Sequence, residues 1–230
     1  VAFAMVQDGV APGAEHDLEL IARLPKSESV FILGRAASRL QRFEDMRGLR
    51  VGIGQEGSGT DHLARSIFES PDFLPLGLQM QNFEHEDQLA RIKDGRLDLA
   101  IFVLDEDATL IRTAMREGLQ MASFENLDII ARQIAFVSHG RIGAGQYDPI
   151  AVVPPQDRRV LRVDTLIVGN KCASRTETIA LLSLLQSEFP TLLAHNSDHG
   201  GSAYFPTSSA SQSYMVNGGP EWADTHVPWL

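Results

Sequence analysis

The chain has 230 residues but only one cysteine, Cys172. A single thiol excludes an intramolecular disulfide framework and any metal site built from cysteines. Within "GNKCAS" it reads as a small buried hydrophobe rather than a nucleophile. Basic residues are also scarce, with 20 Lys and Arg against 30 Asp and Glu, for a formal charge of −10. That balance excludes the basic surface that nucleic-acid phosphates demand, and it disfavours docking of this chain on anionic lipid. Apolar runs are short, so neither a signal peptide nor a membrane span is visible. The G-x-S-x-G elbow is missing, and no histidine falls in a triad context. His195 and His199 sit in "HNSDHGG", which reads as a turn rather than a helix face, so solvated rings are expected there and not metal ligands. No catalytic residue, metal or cofactor is therefore expected, and the chain reads as a binding protein rather than an enzyme.

What is present is enough apolar sequence, 43% of residues, for a well-formed core. Val1–Val6 reads as a buried strand, residues 15–23 as a short helical segment, and "SVFILGR" at 29–35 as a second buried strand. From 49 to 124 the pattern alternates strand and helix: a strand at 49–53, a helix from Gly59, a strand in 76–83 and a helix at 85–95. It continues with a strand at 96–104, a helix at 105–118 and a strand at "LQMASF". Such alternation predicts α/β architecture, with mostly parallel sheets flanked by helices. Asp105, Glu106 and Asp107 complement the dipole of the helix they are read to begin, and they lie at the carboxyl end of a strand, where open α/β sheets bind ligands. Residues 138–159 read as a long surface connection. "VLRVDTLIVGN" resumes as a strand, and Ser174 with Glu177 has the capping-box spacing at the start of the last long helix.

"GIGQEGSGTDHLAR", residues 52–65, carries two competing chemistries. Gly52-Ile-Gly54-Gln-Glu-Gly57 matches the dinucleotide fingerprint. However, Gly52 and Gly54 fall in the strand rather than in the turn, and the acidic residue the motif requires arrives late, at Glu84. Alternatively, Gly57, Ser58, Gly59 and Thr60 open a helix whose amides and hydroxyls suit a small anion. The anion reading needs fewer parts and is preferred. A nucleotide- or phosphate-binding α/β enzyme using the Gly52–Gly59 loop is the alternative.

The order of segments also resembles a known family. "RFEDMRGLRVGIGQEGSGT", followed at the right distance by "DGRLDLAIFV", is similar to the TAXI family of TRAP-transporter solute receptors. "VAFAMVQDGV", "IGAGQYD" and "VDTLIVGN" fall in the family's order. The resemblance implies a two-lobed, periplasmic-binding-protein-like fold, with 1–48 plus 160–230 as lobe I, 49–159 as lobe II, and crossings near 46–50 and 160–165. It also implies that Gly57, Ser58, Gly59 and Thr60 clamp the carboxylate of a solute such as glutamate, that Gln7 faces the site, and that Tyr147 closes it. Asp105, Glu106 and Asp107 replace the family's Gly-Tyr-Pro. One of Asp105 or Asp107 is expected to receive an ammonium if the ligand is an amino acid. The family normally begins tens of residues earlier, so lobe I is expected to be incomplete. The resemblance further implies a periplasmic or extracytoplasmic place, anchoring by segments outside this chain, and a membrane transporter or signalling subunit as partner.

Overall fold

The structure is a computed structural model that describes residues 2–11, 17–199, 201–222 and 224. In chain order its elements are β1 Phe3–Gln7, β2 Leu18–Gly34, β3 Arg50–Gly52, α1 Gly59–Phe68, β4 Gln79–Gln81 and α2 His85–Lys93. They continue with β5 Leu99–Leu104, α3 Thr109–Arg116, β6 Gln120–Met121, α4 Leu127–Gln133, β7 Val137–Ile142 and β8 Arg158–Asn170. The last three are α5 Arg175–Glu188, α6 Leu192–His199 and α7 Ser209–Asn217. The chain divides into two compact units, Val1–Ser27 with Asp164–Leu230 as unit 1 and Glu28–Val163 as unit 2. Both divisions fall inside strands, β2 and β8.

In unit 2, β3 is paired in parallel with both β4 and β5. The second half of β2 runs antiparallel to β5, with Ser29 opposite Leu104 and Leu33 opposite Ala100. β6 is also antiparallel to β2, and β7 is antiparallel to the first half of β8. Parallel pairing is thus confined to β4–β3–β5, a narrower extent than the alternation implied. The reason lies in β2, which reaches β5 from the opposite direction and so pairs with it head to tail. β5 reads as an unbroken apolar run because both its faces are covered. Leu99, Ile101 and Val103 join α1 residues Leu63 and Ile67 in one core, while Ala100 and Phe102 join α3 residues Ile111 and Met115 in another.

In unit 1, β1 is antiparallel to the second half of β8, Phe3 opposite Gly169 and Gln7 opposite Thr165. Ile21 and Ile167 meet Leu182 of α5, Leu192 of α6 and Tyr214 of α7 in a third core. Tyr214 satisfies its buried hydroxyl by donating to Gln186 Oε1 at 2.6 Å. α5 opens with the reciprocal capping box read from the sequence, Ser174 Oγ accepting from Glu177 N and the Glu177 carboxylate accepting from Ser174 N.

Several segments differ from the sequence reading. Residues 18–23 are strand, not helix, and continue unbroken into the strand expected at 29–35; Glu15 and His16 lie outside the described residues. The mixed pattern there arises because Arg23 is buried, at 8% exposure. β1 is half exposed, with Met5 at 67%. Residues 138–142 form β7 rather than a connection. Its exposed Ser138 and His139 mask the pattern because only one neighbour, β8, is paired with it. His195 and His199 lie on a helix, α6. The Asp105–Asp107 trio precedes α3, which begins at Thr109 with Ala108 as its N-cap, so these acids form a turn rather than a first helical turn. Cys172 is exposed. The end "VPWL" lies outside the described residues.

Candidate functional site

The stretch 52–65 ends β3, makes a turn and opens α1. Ser58 is the N-cap, its Oγ accepting from Asp61 N at 3.2 Å. The amides of Gly59 and Thr60, first in the helix, have no intrahelical acceptor, and the dipole adds partial positive charge at that point. Ser58 Oγ accepts one bond and keeps its proton to donate. These donors lie at the carboxyl end of β3, beside the carboxyl end of its parallel neighbour β5.

The remaining expected positions, Gly57 and Thr60, are engaged within the protein. Gly57 N donates to Asp61 Oδ2 at 3.0 Å. Thr60 is buried, and its Oγ1 accepts from Val103 N at 3.3 Å, so this hydroxyl ties the loop to β5. Asp61 was not anticipated as part of the site. Burial works against its charge, but donation from Asn82, Gly57 and Arg65 outweighs this and holds its carboxyl below the usual aspartate range. Asn82 Nδ2 also donates to Gly54 O at 3.0 Å, and Gln88 Oε1 accepts from Gly54 N at 3.0 Å. The spacing Ser58-x-x-Asp61 was a readable signal, since an acid at the third helical position suits a cap. Gln88 was hidden as a polar residue on the apolar face of α2, where Ile92 follows four residues later.

This geometry also tests the dinucleotide alternative. A Cβ on Gly52 would lie 2.4 Å from Gln88 Oε1 and 2.9 Å from Leu97 Cδ1. One on Gly54 would lie 2.9 Å from Ser58 Oγ and from Thr60 Cβ. The first two glycines of the fingerprint therefore make room for the protein's own side chains. In the dinucleotide motif the second glycine instead lets a pyrophosphate approach the backbone.

The acidic turn lies one residue beyond β5. Asp105 Oδ1 accepts from Asp107 N at 2.8 Å, and Asp107 is exposed, 3.7 Å from Arg112. The turn's centre is Glu106, to which the sequence assigns no ligand role. Its Oε1 accepts from Ser29 Oγ at 2.7 Å and from Arg162 Nε at 2.9 Å. Its Oε2 accepts from Gln146 Nε2 at 3.3 Å. Burial, then the charge of Asp105, pushes the Glu28 carboxyl up. Tyr147 is packed in the core with Phe31, Ile142 and Val160, at 2% exposure. Its hydroxyl has no partner, and burial, then the charges of Glu106 and Asp107, raises its pKa strongly. Its backbone carbonyl accepts from Arg116 Nε at 2.9 Å. It anchors its loop from inside the core.

Gln7 ends β1 and belongs to unit 1; the other seven expected site residues belong to unit 2. Among the described residues, no group of three or more metal-ligating side chains converges, and no helix is long and apolar enough to cross a membrane.

A family model described as the NMT1-like family matches residues 6–145, more than half of the chain. The chain belongs to the NMT1-like family. Among solved structures, this NMT1-like chain is similar to the substrate binding protein of an amino acid ABC transporter, at 13% identity and a TM-score of 0.42. That match covers 85% of this chain and 66% of the other. It is similar to an ancestral arginine-binding protein bound to arginine, at 13% identity and a TM-score of 0.45, covering 86% and 71%. It is also similar to the CcmR regulatory domain of Synechocystis in complex with 2-PG, at 14% identity and a TM-score of 0.49, covering 81% and 73%.

Proposed function

We propose that this NMT1-like chain is an extracytoplasmic solute-binding domain that takes a small carboxylate or amino acid, glutamate being the first to try. In this reading it serves a TRAP-type transporter of the TAXI kind, or a sensor, as its membrane partner. The observation that carries the reading is the donor set at the start of α1: the amides of Gly59 and Thr60 with the Ser58 hydroxyl. A carboxylate oxygen can take two such donors at once, and hydrogen bonds to a charged partner contribute about 1.5–3 kcal/mol each. The resemblance of "RGLRVGIGQEGSGT" to solute receptors supports the same assignment.

Titration calorimetry with glutamate, succinate, NAD and ATP tests it. Glutamate or succinate should bind, and Ser58→Ala should weaken that binding by about ten- to hundredfold. Loss of the cap should at the same time lower stability by only about 1 kcal/mol. Binding of the nucleotides without the carboxylates would overturn the proposal. Thr60→Ala should act differently, since it strands Val103 N inside the core. It should lower stability by about 1–3 kcal/mol.

The acidic turn makes a separate forecast. Glu106 is engaged by Arg162, Ser29 and Gln146, and the ammonium is assigned to one of its neighbours in the turn, Asp105 or Asp107. If the solute is an amino acid, Asp105→Asn with Asp107→Asn should weaken glutamate without affecting glutarate, which lacks the amine. Equal losses for both ligands would remove this role.

A further inference from the structure

α6 packs Leu192 in one core with Ile21 of β2 and is hydrogen-bonded to that strand through Asn196. Asn196 Oδ1 accepts from Arg23 N at 2.8 Å, and Asn196 Nδ2 donates to Arg23 O at 2.8 Å. The residue before it, His195, has its Nε2 buried without a partner, and Arg23 Nε is buried without one as well. One turn on, the His199 ring stacks on that of His195, centroids 4.4 Å apart and planes 25° from parallel. The charged groups facing His195 are Arg23 from β2, Asp164 from β8, and Asp198 and His199 from α6 itself. Arg23 is in turn paired with Asp8 at 2.7 Å and Asp164 at 2.8 Å, and donates to Gly201 O at 2.8 Å.

We propose that α6 is an acid-released latch on unit 1, in which protonation of His195 breaks the His195–His199 stack and frees Asn196 from the Arg23 backbone. A neutral imidazole can leave one nitrogen as an unshared lone pair in a dry site at modest cost. Protonated, that nitrogen becomes a donor with no acceptor, and a second cation stands beside the Arg23 guanidinium, whose Nη atoms are already taken by two carboxylates and a carbonyl. The stacked His199 ring also works against a charge on His195. Asp164 favours the charged ring, but two of its oxygens are committed, Oδ1 to Ser27 and Oδ2 to Arg23.

The sign follows from the direction of the shift. Burial holds His195 below the ordinary histidine range, against the pull of Asp164. An unfolded ring takes its proton near pH 6.5. The unfolded or opened state therefore binds more protons as pH falls below about 6.5, and the latch weakens progressively over that range. Above it the ring is neutral in both states and the latch is fully held. α6 also walls a cavity of about 310 Å³ in unit 1, lined by Asn196, Leu20, Ile21, Gln212 and Met215. Release of Asn196 would remove one side chain from the wall of that cavity. This inference stands independently of the solute assigned to unit 2.

Hydrogen–deuterium exchange of the full chain at pH 5.5 and 7.5, corrected for the intrinsic pH dependence of exchange, tests it. Protection of the Arg23 amide and of residues 192–199 should drop severalfold at pH 5.5, up to about tenfold, since one pH unit of linked protonation is worth at most a factor of ten. His195→Phe and His195→Gln should abolish the drop. An equal drop in those variants, or none in the wild type, would overturn the latch. If neither variant folds, the His195 ring titrated by NMR in the wild type decides the matter. A midpoint below 6.5 that coincides with loss of α6 protection supports the latch, and a midpoint at or above 6.5 sinks it.

Discussion

Replacing Arg23 by methionine should lower the unfolding free energy by about 3–5 kcal/mol, because removing one partner from a buried ion network leaves the other charges uncompensated. Arg23 is 8% exposed, and Asp8, which it pairs with at 2.7 Å, is 4% exposed. Its second carboxylate is Asp164, at 2.8 Å. One guanidinium thus serves two carboxylates and the carbonyl of Gly201, joining the end of β1, the middle of β2 and β8. Methionine supplies similar volume with no donor, so Asp8 and Asp164 would face each other across an apolar gap. Arg23→Lys should retain only part of the stability, since a single ammonium cannot reproduce the planar fork that reaches Asp8, Asp164 and Gly201. The triple variant Arg23→Met, Asp8→Asn, Asp164→Asn should recover much of the loss, because no buried charge is then left unpaired. Urea unfolding at pH 7.5 measures all three. A loss under about 1 kcal/mol for Arg23→Met, the value of an exposed pair, would show that this network does not hold unit 1 together.

The second large effect is expected at Gly54. Its φ is +82°, and an added Cβ would lie 2.9 Å from both Ser58 Oγ and Thr60 Cβ. Gly54→Ala should therefore combine about 1–2 kcal/mol of left-handed backbone strain with about 1–3 kcal/mol of overpacking. The neighbours cannot yield freely. Thr60 is bonded to Val103 N, Ser58 caps α1, and Gly54 N and O are themselves held by Gln88 and Asn82. Displacing Thr60 would turn the α1 amides away from their present direction, so carboxylate affinity should fall together with stability. Gly57 supplies the control. Its φ is +75°, but nothing lies within 4 Å of an added Cβ. Gly57→Ala should show the strain alone, about 1–2 kcal/mol. Thermal unfolding of the two variants decides the point. If Gly57→Ala costs as much as Gly54→Ala, close packing is not what glycine at 54 provides.

Much of unit 2 was legible because its signals are local. The apolar runs of β3 and β5, the Leu63 and Ile67 spacing of α1 and the close of α2 near Gly95, like the Ser174–Glu177 box in unit 1, all act within a turn or two of the chain. Ser58 as a cap was readable for the same reason. The acidic turn was readable as a feature but not in its roles. Asp105 and Asp107 look equivalent to Glu106 in sequence, yet it is Glu106 that meets Ser29 and Arg162, 77 and 56 residues distant.

Residues 18–23 and 195–199 were misread for a shared reason. A charged Arg23 argues for a surface, and two histidines among Asn, Ser and Asp argue for a turn. Both inferences assume that polar side chains meet water. Here Asp164, 141 residues from Arg23, supplies the counter-charge, and Asn196, 173 residues from it, supplies the backbone partners. The sequence by itself determined the α/β character, the position of the glycine loop at a helix start and the capping of α1 and α5, because propensity, periodicity and capping are short-range. Tertiary structure alone decided which acid of the turn meets Ser29 and Arg162, that Arg23 is buried, and that the Nε2 of His195 is buried beside it. Each of those depends on desolvation balanced by a partner far along the chain, and no local pattern encodes that balance.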